Sequence, residues 1–372
     1  MTNLTEAQAF LVLNALPGIG PVNLRRLLDE FENDPRAVLS APANALERVK
    51  GVGKTISGSV TNWSDKVKLE REEQRLVQAG ARFITCRDSD YPALLRELYD
   101  PPIGLYRKGN YDFSRPALAM VGSRKTTMYG QKVAHTLAKE LTQAGFCIAS
   151  GLARGIDTAA HEGALAAGGP TVGVLGTGLD IIYPPENLDL YREVEKNGAV
   201  VSEFPFGRRA DRQSFAMRNR IVAGMSVGVI VIESDKAGGS MITARFAGEQ
   251  GRQLFAVPGR IDQPTSAGCH QLIRDGASLV TCVDDILEEF SYLDGLAPTP
   301  IAADVTTKPE DGPPMSPTES AVMGCFAGGA RLTADEIVIQ ARLPVAEVST
   351  ALMMLELQRR IAKQPDGRFE AL

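Results

Sequence analysis

The sequence predicts an α/β protein built on an extended Rossmann-like, doubly wound and mainly parallel sheet. Short apolar runs alternate with helical runs between about residues 115 and 290. Most of these apolar runs lack a polar face, which is typical of parallel strands that helices cover on both sides. Glycine-rich turns follow several of them. Because ligands of such sheets bind at the carboxyl ends of strands, the sequence predicts a binding site at these turns.

Strands and helices are predicted in alternation along this region. The predicted strands are Ala117–Val121, Cys147–Ser150, Thr171–Leu175, Ala199–Ser202, Val227–Ile232, Leu254–Val257 and Ser278–Val280. The predicted helices, which repeat apolar residues every three or four positions, are Tyr129–Ala144, Asp157–Ala167, Leu188–Asn197, Phe215–Ala223, Ser240–Gln250 and Ala267–Asp275. We therefore assign residues 81–290 to one Rossmann-like domain.

Residues 1–80 are predicted to form a helical domain of helix–hairpin–helix or SAM-like type. Two segments, Leu16–Leu28 and Val49–Val60, place a hydrophobe–Gly–hydrophobe–Gly hairpin before a helix. The glycines permit the tight turn. Paired hairpins of this kind are similar to repeats that grip nucleic-acid backbones, and Arg25 and Lys54 would then be the contacts. A packing module without DNA contacts is an equally good interpretation.

The C-terminal part divides into a linker and a small domain. Residues 291–317 are the predicted linker, since Gly295–Pro317 contains six prolines and no periodicity. Residues 318–372 predict three helices and a two-stranded tail, a winged-helix pattern. The predicted recognition helix, which starts at Val345, has no Arg, Asn or Gln in its first turns to read bases. A protein-contact or dimer-modulating role is therefore at least as well supported as DNA reading.

Composition excludes some classes of protein. The 372-residue chain has a net charge of −5, and five scattered cysteines without a CxxC pair argue for reduced thiols and against a zinc site. Because it lacks a signal peptide and any run of about 20 apolar residues, we expect a cytoplasmic location without membrane contact. Five arginines and one acid nevertheless lie between Gly207 and Arg220. Such a local cluster is what a phosphate chain experiences at physiological salt.

The turn after the first predicted strand is the strongest candidate for phosphate binding. It carries Ser123, Arg124 and Lys125 just before a helix, where backbone N–H groups favour anions. The other glycine-rich turns are SGLARGID (Ser150–Asp157), LGTGLD (Leu175–Asp180) and ESDKAGGSMITA (Glu233–Ala244). The dinucleotide fingerprint GxGxxG is absent after the first strand. A polymeric phosphate chain therefore fits this edge better than a compact cofactor, and we expect no cofactor.

No catalytic residue is assigned. Asp157 and His161, four residues apart on one helix, could bind a metal or move a proton, but a helix cap and a packed histidine are favoured, and no metal is expected. Glu203 and Glu233 end predicted strands, where salt bridges to the arginines are favoured over catalysis. We therefore predict a non-enzymatic protein.

Guanidinium groups are the favoured ligands for phosphate. Arg124, Arg218 and Arg220 bind phosphate in two-point geometry or stack on unpaired bases if they reach the ligand edge. Aromatic side chains near the arginine cluster suit base stacking and core packing equally; they are Tyr183, Phe204, Phe206 and Phe215.

Taken in order, these motifs resemble the DprA/Smf family of bacterial DNA-processing proteins. The residues that carry the resemblance are GSRKTTMYG (Gly122–Gly130), ASGLARGIDTAAH (Ala149–His161), GTGLDIIYPPEN (Gly176–Asn187), RNRIVAGMS (Arg218–Ser226), GGSMITA (Gly238–Ala244), VPGR (Val257–Arg260) and LIRDGA (Leu272–Ala277). The resemblance covers the whole middle domain and implies its extended Rossmann fold.

The resemblance also implies a function. Members bind single-stranded DNA, dimerise, protect incoming strands during natural transformation and load the RecA recombinase. The residues expected to bind DNA on this basis are Gly122, Ser123, Arg124, Lys125, Gly151, Arg154, Gly178, Arg208, Arg209, Arg212, Phe215, Arg218, Asn219, Arg220, Lys236, Gly239 and Ser240. The alternative is an enzyme that hydrolyses nucleoside monophosphates on a related fold, although the loop at Gly238–Thr243 lacks the carboxylate of a PGGxGT-type motif.

Overall fold

The structure is a computed structural model that describes residues 4–293, 315–326, 330–358, 360–364 and 366–371. The described residues fall into two compact units. The first holds the N-terminal helices and a large sheet, and the second holds the C-terminal helices. Most of the predicted linker, residues 294–314, lies outside the described residues.

Short helices fill the N-terminal region. They are α1 (Glu6–Ala15), α2 (Pro21–Glu30), α3 (Pro35–Ser40), α4 (Ala43–Leu46), α5 (Lys54–Thr61), α6 (Trp63–Lys66) and α7 (Leu69–Ala79). Each glycine hairpin precedes a helix, α2 or α5, and turns through a glycine of positive φ, 84° at Gly18 and 91° at Gly51. The two hairpins pack against each other, as shown at Gly18, where an added Cβ atom would lie 3.3 Å from Ile56 of α5. Arg25 donates to the Leu98 carbonyl at 3.3 Å and is thus occupied within the protein.

Nine strands of the described residues form one sheet. The strands are β1 (Ala81–Thr85), β2 (Gly104–Lys108), β3 (Ala117–Gly122), β4 (Cys147–Ser150), β5 (Thr171–Leu175), β6 (Ala199–Ser202), β7 (Gly228–Ile232), β8 (Gln253–Ala256) and β9 (Ser278–Leu279). The helices between them are α8 (Ala93–Arg96), α9 (Met128–Gln143), α10 (Ile156–Ala166), α11 (Leu188–Asn197), α12 (Arg212–Gly224), α13 (Gly239–Glu249) and α14 (Ala267–Arg274), and α15 (Asp284–Leu287) follows β9. The strand order is β1-β2-β6-β5-β4-β3-β7-β8-β9, and strands β3 to β9 run parallel. The predicted mainly parallel, doubly wound sheet is confirmed.

Strands β1 and β2 were not predicted. They pair antiparallel with each other, and β2 pairs antiparallel with β6, so they extend one edge of the sheet. Arg107 interrupts the apolar pattern of β2 although its side chain is almost fully buried. Its guanidinium donates to the Asp90 carboxylate at 2.9 Å, which satisfies a charge that the pattern alone places in solvent.

Side chains of the central strands alternate between two cores. Along β3, Leu118 and Met120 face the layer of α9 and α10, whereas Ala119 and Val121 face the layer of α12 and α13. A third cluster joins the N-terminal helices to the sheet, with Phe10 and neighbouring apolar residues packed together with Tyr106, Val200 and Phe206. The boundary at residue 80 between two separate domains stays a prediction.

The second unit has the predicted winged-helix elements. They are α16 (Pro317–Cys325), α17 (Ala334–Ala341), α18 (Val345–Leu357), β10 (Ile361–Lys363) and β11 (Phe369–Ala371). The two strands pair antiparallel, and Val322, Ile337 and Leu355 lie in its own apolar core. In the described residues no single helix is long and apolar enough to span a membrane; α17 and α18 reach that length and apolarity only as a pair bent by 114°.

Candidate nucleic-acid interface

A cavity of about 660 Å³ opens at the carboxyl ends of the parallel strands. Helices α12 and α13 and the turns after β3, β4 and β7 line it, as expected for a ligand site in an open α/β sheet. The predicted site residues that line it are Gly122, Ser123, Arg124, Lys125, Gly151, Arg212, Phe215, Arg218, Asn219, Gly239 and Ser240.

The turn after β3 contributes side chains to this cavity more than backbone donors. The amide of Ser123 donates to the Glu233 carbonyl at 2.8 Å, and the amide of Lys125 donates to Ser123 Oγ at 3.1 Å. These two amides are therefore already bonded within the protein, and the expectation that Ser123 and Lys125 bind DNA stays a prediction. What the turn offers to a ligand is the charge of Arg124 and Lys125.

Glu233 shapes the same turn from the end of β7. It has a positive φ of 56°, which is unusual for a residue with a Cβ atom. Its carboxylate accepts a hydrogen bond from the Thr126 hydroxyl. A Cβ atom at Gly130 would lie 2.3 Å from Glu233 Oε2, so glycine is required where helix α9 passes the carboxylate. Glu233 thus supports the turn that carries Arg124.

Asp157 holds the turn after β4. It was expected to cap its helix, but the N-cap of α10 is Gly155. Asp157 instead accepts from the amides of Gly151 (3.1 Å) and Ala153 (3.3 Å). Burial raises the pKa of the Asp157 carboxyl, an effect that the nearby Arg218 guanidinium opposes. The amide of Gly151 is therefore also used inside the protein.

His161, one turn further along α10, belongs to the core. It is completely buried, and its Nδ1 lies 2.7 Å from Thr171 Oγ1. Burial, reinforced by the positive charge of Arg218, lowers the pKa of His161 to about 3. The packed interpretation is confirmed. No group of three or more His, Cys, Asp or Glu residues in the described part of the chain is arranged around a common metal position.

Arg218 forms the floor of the cavity. Only 4% of the residue is exposed, and its Nη1 donates to the Val174 carbonyl at 2.8 Å. A Cβ atom at Gly151 would lie 1.4 Å from Arg218 Nη1, so this glycine makes room for the guanidinium. Burial lowers the pKa of Arg218, and the Asp157 carboxylate opposes that effect. Its Nε has no hydrogen-bond partner among the described residues.

Arg220 lies elsewhere, and its predicted place in the pocket is wrong. A helix turns by about 200° over two residues, which directs Arg220 away from the side of Arg218. Arg220 forms a buried ion pair with Glu203 and donates to the Asp100 carbonyl at 2.8 Å. The salt-bridge interpretation of Glu203 is thereby confirmed. Asn219, between the two arginines, lines the cavity and donates to the Gly239 carbonyl at 3.3 Å.

The start of α13 supplies the open backbone donors. Its N-cap, Gly238, provides no side-chain hydrogen bond, and a Cβ atom at Gly239 would meet nothing within 4 Å. The first N–H groups of a helix have no intrahelical acceptor and carry the positive end of its dipole. An anion that entered the cavity would therefore meet the positive end of α13 at Gly239 and Ser240.

Aromatic and cationic side chains form a row beside the cavity. The Arg124 guanidinium lies 4.8 Å from the ring centre of Phe215, whose ring lies 5.6 Å from that of Tyr183. Arg154, paired with Glu186, covers Tyr183 at 5.8 Å. Tyr183 is 40% exposed, so this row offers stacking surfaces to solvent.

The remaining predicted residues lie outside the lining of the cavity. The Gly178 amide donates to the Arg208 carbonyl at 2.9 Å, so it is used within the protein, and its expected DNA contact stays a prediction. Arg208 pairs with Asp211, whereas Arg209 and Lys236 are exposed. These three cations, like Arg154, are placed for contacts beyond the cavity.

Comparison with known proteins decides the family. Residues 82–291 match the model of DNA recombination-mediator protein A, and residues 306–367 match the DprA winged helix domain. The chain belongs to the DprA/Smf family. Similar full-length proteins include Protein Smf of Synechocystis, 33% identical over 98% of this chain and 99% of that one. The putative DNA processing protein DprA of Mycobacterium tuberculosis is 34% identical over 93% of each chain.

Two solved structures of the DprA/Smf family resemble this chain. The DNA processing protein A of Streptococcus pneumoniae has a TM-score of 0.68 and 36% identity, covering 77% of this chain and 98% of that one. The Helicobacter pylori protein, described for its single-stranded DNA binding mode, has a TM-score of 0.52 and 31% identity over 57% of this chain and 96% of its own.

Some cavity residues of this DprA/Smf family member were not foreseen from the sequence. Asp235, directly after Glu233 and Ser234, lines the cavity, as do Pro264 and Thr265. The latter two belong to the loop that follows the VPGR motif, Val257–Arg260. That motif could have indicated them, since it follows a parallel strand at the same edge of the sheet.

Proposed function

We propose that this chain binds single-stranded DNA in the cavity and along the neighbouring arginines, protects it without chemical change, and delivers it to RecA during natural transformation. One observation carries the proposal. The cations of Arg124, Arg212 and Arg218 converge with the uncapped start of α13 on one cavity. Cations and open amides together match the phosphate backbone of a nucleic acid.

The aromatic row favours a single strand over a duplex. Phe215 lines the cavity and Tyr183 is partly exposed next to it. Unpaired bases of any sequence stack on such rings, whereas the bases of a duplex are already stacked within it. The single-stranded DNA binding of the Helicobacter pylori relative supports the same choice.

Binding without catalysis is supported by the state of the two candidate carboxylates. Glu203 is ion-paired with Arg220, and Glu233 supports the turn after β3. Each carboxylate is bonded to a neighbouring group of the protein, and taking a proton from a substrate would weaken that bond. A hydrolase of nucleoside monophosphates remains the competing function, and the experiment below distinguishes the two.

A homodimer and a cytoplasmic location complete the proposal. Strand β9, the last in the sheet order, has only two residues and leaves Leu279 about half exposed. An open sheet edge with an apolar residue is a natural contact for a second copy. Light scattering at several concentrations measures the oligomeric state. The cytoplasmic location follows from the proposed partner, because RecA acts inside the cell.

The decisive experiment titrates the protein with a single-stranded oligonucleotide and with its duplex. We expect at least about tenfold tighter binding to the single strand, which corresponds to about 1.4 kcal/mol. Added RecA should form filaments on the protein-bound strand faster than on a strand coated by a generic single-strand binder. Equal affinity for the duplex would contradict the proposal. Release of base or phosphate from nucleoside monophosphates would establish the enzyme instead.

A further inference from the structure

The segment 203–211, here named the basic loop, joins β6 to α12, and other parts of the chain bond to its backbone at several residues. It carries Arg208 and Arg209, both exposed, immediately before the helix that lines the cavity. Asp211 closes the loop by capping α12, accepting from the Ser214 amide at 2.7 Å. The position of the loop thus sets where positive charge lies beside the cavity.

Helix α7 of the N-terminal region makes the central contacts to this loop. Glu72, 8% exposed, accepts from the Phe206 amide at 3.1 Å and from the Tyr106 hydroxyl at 3.2 Å. Arg75, one turn later, donates to the Phe206 carbonyl at 3.2 Å and lies 3.7 Å from the Glu72 carboxylate. Both backbone polar groups of Phe206 are therefore bound by a single helix.

Residues outside α7 also form hydrogen bonds to the backbone of the basic loop. Asn14 of α1 donates to the Glu203 carbonyl at 2.9 Å. Asp180 accepts from the Gly207 amide at 2.8 Å, where a positive φ of 84° turns the chain. With the bond from Gly178 to the Arg208 carbonyl, backbone groups of Glu203, Phe206, Gly207 and Arg208 are all bonded to other parts of the chain.

We propose that helix α7 positions the basic loop as a second contact for single-stranded DNA, outside the cavity, that only strands long enough to leave the cavity reach. This inference rests on the proposed function and assigns the N-terminal helices a part in it. Glu72 is a positioning residue, since it acts through the backbone of the loop. Because exposed charges act over about 8 Å at physiological salt, Arg208 and Arg209 contribute only while the loop holds them beside the strand.

The test compares two oligonucleotides, of about 6 and about 30 nucleotides, which bracket a single-strand site. Glu72→Ala should weaken binding of the long one about fivefold to tenfold and leave the short one within twofold, since only the long strand crosses the loop. Glu72→Gln keeps a carbonyl acceptor and should restore most of the affinity. Glu70→Ala, on the exposed face of α7, changes the same charge and should bind both like the wild type.

A double variant separates positioning from general damage. Arg209→Ala should lower the affinity for the long strand, and adding Glu72→Ala to it should lower the affinity by less than the product of the single effects. Arg75→Met tests the same contact if Glu72→Ala fails to fold, and should lose affinity for the long strand only. Multiplicative effects, or a long strand bound equally by Glu72→Ala and wild type, would overturn the inference and leave the proposed function standing. Failure of the wild type to bind either strand would instead overturn the proposed function.

Discussion

Two helices of this protein have starts that are candidates for contact with nucleic acid, and the residues at these two starts differ in chemistry. Helix α13 of the sheet unit starts at Gly239 without acidic residues in its first turn and beside the cations of the cavity. Helix α18 of the winged-helix unit starts at Val345 with Glu347 in its first turn and has no basic residue along its length. Only the first combines an open helix start with positive charge.

The solvent-facing side of α18 has a different character. Val345, Met353 and Leu357 are each more than 60% exposed. An acidic helix with exposed apolar residues suits a protein contact better than a DNA groove, which takes up cations and hydrogen-bond donors. The comparison teaches that a DNA-associated fold does not define a DNA site; the residues presented on it do.

The largest difference that we expect between the two units is in their stability to acid. His161 has a pKa of about 3 when folded and about 6.5 when unfolded, so the unfolded chain binds its proton first. Its contribution to the stability of the sheet unit is complete above pH 6.5. It falls below that by about 1.4 kcal/mol for each pH unit. The chain has no histidine after His270, so this effect is confined to the first unit.

Trp63, the single tryptophan, lies in helix α6 of the first unit and reports its unfolding. Denaturant titrations should give a lower free energy of unfolding at about pH 5 than at pH 6.5, and His161→Gln should make this difference smaller. A wild-type free energy of unfolding that is equal at both pH values would contradict the assignment of His161 as a buried neutral group.

A second difference concerns anion binding at the two helix starts. An aspartate near a helix start stabilises the helix by about 0.3–1 kcal/mol, so neither Gly239→Asp nor Val345→Asp should unfold the protein. Gly239→Asp introduces a negative charge where we place a phosphate, and should weaken single-strand binding at least about tenfold. Val345→Asp, the matched variant on α18, should leave it unchanged. Equal losses in the two variants would remove the distinction between the helices.

The smallest effect should come from the wing of the second unit. Lys363 lies on β10, where its amine is 5.7 Å from the ring centre of Phe369. If this unit read DNA through its wing, Lys363→Ala would weaken duplex binding. We expect affinities for single strand and duplex within about twofold of the wild type, below the tenfold that a lost specific contact costs. A larger loss in a filter-binding titration would make the wing a DNA contact.

The sequence was sufficient for the fold because its central strands are continuous apolar runs with glycine turns. It failed at β2, where Arg107 is buried and paired with Asp90. Such pairing depends on tertiary contacts that no local pattern shows. The start of α12 was predicted too late, at Phe215, although the cap at Asp211 with Ser214 three residues later was a readable signal.

At the site, the sequence identified the right turns but not the direction of each group. Arg218 and Arg220 are equivalent in composition, yet one lines the cavity and the other pairs with Glu203. The two arginines lie on different faces of α12. Tertiary packing decides which face of a helix lies at the cavity, so the local sequence does not show it. The turns of Ser123 and Gly151 were likewise expected to offer amides, but the Ser123 amide donates to the distant Glu233 carbonyl and the Gly151 amide to Asp157 of its own turn.

The most direct test of the account is the salt dependence of single-strand affinity in Arg124→Ala. Arg245→Ala is the matched control, because Arg245 lies on α13 but is paired with Glu249 and does not line the cavity. We predict that Arg124→Ala lowers the affinity for every sequence alike and reduces the log–log salt slope by about 0.7, the value for one lost phosphate contact. An unchanged affinity and slope in Arg124→Ala, or the same change in Arg245→Ala, would contradict a phosphate-binding cavity at this edge of the sheet.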